Sequence, residues 1–540
     1  MLGRKPPHHH AHHPWLLARR LLRVPKPAIG KEYCMTPRRV AVVTGAIMLS
    51  LFLASMESTV VATGMPTIVS QLGGLEYYSW VFSAYMLTST TTVPLYGKLS
   101  DLYGRRPIYA AAMVLFLLGS LLCGLAQTMV QLIAARAVQG IGAGGLLPLA
   151  FIIIADMFSL EQRARMQGLF SGVWGISSVV GPLLGGVLVE RVSWHWIFFI
   201  NIVPGLIAGA LVWYAWVDQP RGPAARLPVD YAGALLLTSG VVLLLLGLFE
   251  LGTPLGWALL AAAALAFGLL AWAERRAPDP VLPLALFRDR LFLIACAHGL
   301  FAGWAMFGST AYIPLFVQAV LGTSATAAGA TLTPLLIAWV VASIVGSRLL
   351  LKVGYRTLAL AGMVLLTIGA LLMSRIGTGS SQLGLVIGLA MMGTGMGLSI
   401  PAFLIAVQST AERRMLGTAT STLQFSRSIG GVLGVSIMGI ALSSGLAANL
   451  RAAGLDPAAV SIDTLLDPLA QSAASAALDA SLRNALASAI QGIFLLALIA
   501  AVLGLIATAL APAGRIAQLA AQRTQAAEES AVPPVVPVGE

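Results

Sequence analysis

From Val40 to Ile68 the chain is apolar with one formal charge, Glu57, and comparable stretches recur as far as residue 511. They are continuous rather than alternating, which is the pattern of membrane helices and not of barrel strands. A helix needs ~20 apolar residues to cross the hydrocarbon. Fourteen such helices are predicted, near 40–63, 79–97, 107–126, 130–155, 165–189, 195–216 and 230–250, then 256–273, 291–318, 327–351, 357–374, 382–408, 415–445 and 488–511.

Composition sharpens this picture. Of the 540 residues 58% are hydrophobic and 10% charged, with mean hydropathy +0.87, whereas a soluble domain carries about 25% charged residues. The formal net charge of +12 would suggest nucleic acid, but the placement of the charges excludes that reading. With the N-terminus inside, only Arg191, Arg375, Arg451 and Arg483 of the 33 Lys and Arg fall outside, and Arg136 and Arg427 lie within helices. The other basic residues fall inside, as the positive-inside rule requires, so both termini are expected in the cytoplasm of a multi-pass inner-membrane protein.

Three cysteines (Cys34, Cys123, Cys296) are too few and scattered for a disulfide framework or metal site. Residues 1–38, with "HHHAHH", read as a basic, disordered cytoplasmic extension rather than a metal site, and Met35 is an alternative start. No cleavable signal peptide is expected, because the first hydrophobic segment is of membrane length. Residues 513–540 read as a cytoplasmic tail.

The chain also matches itself at an interval of about 250 residues. "GIGAGGLLP" (Gly140–Pro148) and "GTGMGLSIP" (Gly393–Pro401) share G-x-G-x-G-x-x-x-P, and "RMQG" from Arg165 is echoed by "RMLG" from Arg414. "GPLLGG" from Gly181 is echoed by "GGVLGV" from Gly430, and "GKLSDLYGRRP" (Gly97–Pro107) weakly by "GSRLLLKVGYR" (Gly346–Arg356). The expected fold is therefore an all-α membrane protein of two pseudo-symmetric six-helix bundles, 39–217 and 291–512. Segment 218–290 links them and carries two inserted helices, and 446–487 is a long outside loop. Two such bundles around a central cavity are the physical basis of rocking alternating access.

"GKLSDLYGRRP" after the second helix resembles the signature loop of the major facilitator superfamily. "LIAARAVQGIGAGGLLP" and "GISSVVGPLLGG" are similar to motifs of its drug:proton antiporters, and "MESTVVATGMP" with fourteen spans to their fourteen-span branch. The resemblance covers residues 38–512 and implies the major facilitator fold. "GIGAGG" also matches a dinucleotide fingerprint, but it lies within a membrane helix rather than between strand and helix. No phosphate-binding loop occurs, which argues against an ATP-driven pump.

A charge at a helix centre costs about 2.5–3.5 kcal/mol to insert, so Glu57 should face a cavity or partner. A carboxyl group removed from water takes up a proton more readily, which suits proton coupling; the alternative is a permanent ion pair holding helices together. The family usually has Asp here. At 1.5 Å per residue both Glu57 and Arg136 lie in the outer half of the bilayer, roughly 12–17 Å from the extracellular end. The resemblance implies that Arg136 controls protonation; anchoring of the first helix's backbone is the alternative. In the signature loop Gly97 and Gly104 permit close packing and a tight turn. The resemblance implies that Asp101 meets the N-terminus of the thirteenth helix and holds the cytoplasmic side closed. Arg105 and Arg106 would latch to acids such as Asp156, the alternative being simple anchoring. Pro182 with Gly181, Gly185 and Gly186 predicts a kink and a close helix seam, and the resemblance associates that motif with antiport. Candidates for the cavity are Tyr85, Gln139, Trp174, His298, Trp304, Phe307, Gln424 and Arg427; packing explains the aromatic ones equally well.

The sequence therefore reads as a transporter, not an enzyme. It is expected to be a monomer in the bilayer that exports amphipathic, often cationic, small molecules in exchange for protons. No cofactor is expected, the proton gradient being the energy source. The rivals are a dedicated exporter of one metabolite, lipid or siderophore, a proton-coupled importer, and a non-transporting sensor on a transporter scaffold.

Overall fold

The computed structural model describes residues 35–72, 78–218, 230–277, 280–282, 284–322, 331–412, 415–454 and 476–514. The N-terminal extension, most of the tail and the centre of the outside loop lie outside the described residues. The first bundle comprises α1 (Pro37–Leu72), α2 (Tyr78–Tyr103), α3 (Arg105–Gly124), α4 (Met129–Met157) and α5 (Leu160–Arg191). A four-residue helix, Trp196–Phe199, leads into its last member, α6 (Ile202–Ala215). The insertion is α7 (Tyr231–Phe249) and α8 (Pro254–Glu274). The second bundle holds α9 (Arg290–Leu315), extended by a π-helical turn Phe316–Val320, α10 (Thr333–Val353) and α11 (Tyr355–Met373). It ends with α12 (Gln382–Thr410), α13 (Leu416–Ala452) and α14 (Ala476–Ala509). Among the described residues eleven helices are long and apolar enough to cross a membrane, and Ala232–Leu248 is a shorter apolar helix. The outside loop is shorter than expected: α13 and α14 both project past the hydropathy boundary into it.

Local chemistry starts these helices. Thr128 caps α4 by accepting from the Gln131 N–H, Ser159 and Gln162 form a capping box on α5, and Thr253, followed by Pro254, caps α8. Between α2 and α3 the turn is made at Gly104, φ +104°, and between α10 and α11 at Gly354, φ +95°. Only glycine takes that left-handed backbone without strain.

The internal repeat is visible atom by atom. In α4 Gly140 and Gly144 lie against the backbone of Tyr85 and Ser89 of α2, while Gly142 lies against Ala112 and Phe116 of α3. In α12 Gly393 and Gly397 lie against Leu335 and Trp339 of α10, while Gly395 lies against Gly362 and Leu366 of α11. Positions two apart point to opposite sides of a helix, at about 100° per residue. The alternating glycines thus let one helix sit between two others, and a β-carbon at any of them would overlap a neighbour. The repeat therefore encodes two pseudo-symmetric bundles.

Outward-facing Val114, Leu118, Leu265 and Leu383 are exposed, as lipid-facing positions are. The inserted α7 lies across the seam between the bundles: Leu237, Val241 and Leu245 pack with Leu87 and Leu95 of α2 and with Ile429 and Val432 of α13.

Candidate functional site

Glu57 and Arg136 are both about 1% exposed and form an ion pair, the guanidinium Nη1 donating to Oε1 at 2.9 Å. The same nitrogen donates to Gln139 Oε1 at 2.7 Å, and Nε donates to the Val81 carbonyl at 3.3 Å. Tyr85 lies under the guanidinium, 4.1 Å from its carbon to the ring centroid. The backbone that Arg136 anchors thus belongs to α2 and not to the first helix, because Val81 opens the buried face of α2 directly opposite. Asn201, which the sequence analysis did not single out, donates from Nδ2 to Glu57 Oε2 at 2.5 Å and to Ser120 Oγ at 3.1 Å. Gln139 Nε2 also donates to Ser120 Oγ, at 3.1 Å. The result is a buried polar network inside the first bundle, in which Asn201 Oδ1 has no hydrogen-bond partner among the described residues. The signal for Asn201 is a solitary amide in "FFINIVPG"; it sits at the break before α6, which frees its side chain to turn inward.

The second bundle holds apolar residues in the corresponding places. With the 253-residue offset of the glycine motif, Arg136 corresponds to Leu389 and Gln139 to Met392, both fully buried.

A second cluster sits at the α2–α3 turn. Asp101 Oδ1 accepts from the Gly417 N–H at 3.1 Å, and Oδ2 accepts from the Thr418 N–H at 2.8 Å and from Thr418 Oγ1 at 3.0 Å. These donors are the open N-terminus of α13, which favours a carboxylate. Gly97 and Gly417 let the two backbones meet: a β-carbon on Gly97 would lie 2.6 Å from the Gly417 carbonyl. Arg105 bridges Asp101 at 2.6 Å and Asp156 at 3.0 Å. Arg106 makes no such latch. Its guanidinium lies over the Trp213 ring at 4.3 Å, and Nε has no hydrogen-bond partner among the described residues. Asp218, which belongs to none of the motifs above, accepts through its carboxylate from the backbone N–H of Arg105 at 2.9 Å and thereby caps α3. The two bundles meet again where Ser171 Oγ donates to Ser343 Oγ at 2.7 Å, and Ile344 packs on Gly168.

In the antiporter motif α5 continues as helix through Pro182. Gly181 abuts Thr59 and the Met56 carbonyl of α1, but beside Gly186 there is open space, so Gly186 clears no close seam.

Between the bundles lies a cavity of about 180 Å³. Trp174, Phe307 and Arg427 of the predicted candidates line it, together with Phe151, Phe170 and Trp339. Gln139 and Tyr85 belong instead to the Arg136 network. His298 is buried against Phe403, ring centroids 4.7 Å apart, and Trp304 packs on Gly434 of α13. Gln424 is buried one turn before Arg427 on α13. Among the described residues no cluster of His, Cys, Asp or Glu could hold a metal.

Comparison with known proteins agrees with this architecture. The chain is 38% identical over 413 residues to the multidrug transporter protein MdtP of Bacillus subtilis (strain 168), which covers 75% of this chain and 76% of that protein. It is 38% identical over 399 residues to multidrug resistance protein 3 of the same organism, covering 73% and 78%. Among solved structures, the human organic anion transporter MFSD10 (TETRAN) superposes with TM-score 0.58 at 16% identity, over 85% of this chain and 99% of that one. The proton:xylose symporter XylE does so with TM-score 0.58 at 14% identity, over 86% and 95%; at such identities the likeness shows the fold. Residues 47–435 match the Major Facilitator Superfamily, and the chain belongs to that superfamily as a multi-pass membrane transporter.

Proposed function

We propose that this protein is a proton-coupled exporter of amphipathic small molecules. It works by alternating access, as a fourteen-span monomer of the inner membrane with both termini in the cytoplasm. The observation that carries the reading is Glu57: a carboxylate buried in the first bundle, hydrogen-bonded by Arg136 and Asn201, with no equivalent pair in the second bundle's helix α12. Export rather than uptake is supported by the relatives named for multidrug transport and resistance.

In the proposed cycle, Asp101 holds the cytoplasmic face closed, a reading supported by its hydrogen bonds to the α13 N-terminus. A proton arriving at Glu57 from the outer face removes its negative charge, and the attraction that Arg136 feels for it is lost. Arg136 keeps its own proton throughout. The network loosens, α4 is freed to move against α1 and α2, and the opposite face opens. Release of the proton to the cytoplasm restores the pair and closes the cycle.

The test is dye efflux from energised cells expressing wild type or Glu57→Gln, with and without a protonophore. The expected result is efflux that the protonophore abolishes and that Glu57→Gln loses at unchanged membrane levels. Efflux that survives either treatment would overturn proton coupling through Glu57.

A further inference from the structure

We propose that the cavity between the bundles receives amphipathic organic anions, with Arg427 as the counter-charge. This rests on the exporter reading only in placing the cavity on the substrate path. The wall is largely aliphatic and aromatic, and Arg427 is the one ionisable side chain among its described lining residues. The other polar side chains there, Gln167, Ser171 and Thr310, are neutral. Arg427 lies eleven residues beyond Leu416 at the start of α13, roughly 16 Å along the axis, too deep for its head to reach the nearer end of the helix. Among the described residues Arg427 shows neither an ion pair nor a side-chain hydrogen bond, and it is half-buried, with its side chain on the cavity wall.

Leaving a cation unpaired in a low-dielectric site is costly, and an anion that enters the site relieves the cost. Two more donors without acceptors lie near Arg427, on the α9–α13 contact inside the second bundle, although neither residue lines the cavity. The Gln424 amide nitrogen is one turn before Arg427, and the Trp304 indole N–H is on α9, where Gly303 packs on the Arg427 backbone. An indole N–H and a guanidinium can only donate, so what they lack is an acceptor. Glu57 is not on the cavity wall: it is buried inside the first bundle, hydrogen-bonded by Arg136 and Asn201, and supplies the cavity no counter-charge in this arrangement. An anionic cargo departs from the amphipathic, often cationic, cargo expected from sequence.

A volume near 180 Å³ exceeds the ~150 Å³ that admits benzene, so an aryl group with an acidic substituent suits it. The experiment uses purified full-length protein in detergent and three fluorescent probes. These are anilinonaphthalene sulfonate, phenylnaphthylamine (the same rings without the sulfonate) and ethidium. Wild type is expected to bind the sulfonate at least about tenfold tighter than the neutral rings, the effect of one charge-assisted contact. Arg427→Gln should bring that ratio close to one, and Arg427→Lys, which keeps the charge, should retain a preference. A wild-type ratio near one, tightest binding of ethidium, or a folded Arg427→Gln that keeps the wild-type ratio would each overturn the proposal. If Arg427→Gln does not fold, the wild-type ratio and Arg427→Lys decide, and loss of the preference in a folded Arg427→Lys overturns it. Binding is read at equilibrium without a proton gradient, so a failure of proton coupling leaves this readout unchanged.

Discussion

Replacing Asp101 with Asn should unlock the face that carries the α2–α3 turn, and the geometry sets the size of the effect. One carboxylate oxygen accepts the Gly417 N–H, and the other accepts both the N–H and the hydroxyl of Thr418. An amide keeps one oxygen and turns an NH2 toward donors at the other site. At best it preserves the two Thr418 bonds, now without charge assistance, and it leaves a buried N–H opposite a donor. Each unsatisfied buried group costs about 1–3 kcal/mol, and the Asp101 side chain is only 5% exposed, so solvent screens little of this. These bonds join the two bundles, and on the proposed gating role they would break when this face opens. The closed arrangement should therefore lose about 2–4 kcal/mol relative to the open one, a shift of about 30- to 700-fold in their ratio. Ser421 is fully buried on α13 against Gly97 and reports the change. In a background lacking the native cysteines, Ser421→Cys should react slowly with a membrane-impermeant maleimide, and Asp101→Asn should raise that rate at least tenfold. An unchanged rate in folded protein would refute the idea that Asp101 holds this face shut.

Two further outcomes follow from the packing. Arg136→Gln leaves Glu57 buried without its counter-charge and should cost about 3–5 kcal/mol. The double variant Glu57→Gln with Arg136→Gln should recover much of this in thermal unfolding, whereas simple additivity would mean that the pair is not coupled. Gly97→Val should prevent the α2–α13 approach, because its β-carbon meets the Gly417 backbone and Ser421. Gly186→Ala, facing open space, should change the melting temperature by no more than the roughly 0.5 kcal/mol of a neutral substitution.

Hydropathy finds the helices well and their ends poorly, and both facts have the same cause. It senses the bilayer, not the hydrogen-bonded rod. Thus hydropathy stops α1 near residue 63, but it runs to Leu72, through Thr67 and Gln71, since polar side chains do not oppose a helix outside the hydrocarbon. The pairing of Glu57 with Arg136 was legible because two lone charges at similar depth have few other partners. Asn201 was less so: an uncharged amide costs little in a hydropathy average, and its inward turn depends on the break before α6. Arg106 shows the opposite failure. Its neighbour Arg105 takes both acids, Asp101 and Asp156, leaving an aromatic ring as its partner. Nor could sequence reveal that Glu57 is closed off from the cavity, since depth along a helix says nothing about which way a side chain faces.

The two bundles are symmetric in backbone and asymmetric in charge, and α4 joins the two kinds of chemistry. Arg136 and Gln139 occupy its N-terminal half, in the Glu57 network. Leu147 and Phe151, eleven and fifteen residues beyond Arg136, form part of the cavity wall, roughly 16–22 Å away along the axis. Pro148 lies between Leu147 and Phe151 and removes one backbone donor, so the helix can bend near the cavity at low cost. The second link is α5: Ser177 shares a hydrogen bond with Ser55, two residues from Glu57, while Ser171 and Trp174 reach α10 and the cavity. A proton and an anionic substrate thus act on the same two helices without touching each other. With the two charges apart, a proton at Glu57 and an anion at Arg427 would be coupled through movement of these helices rather than through competition for one carboxylate.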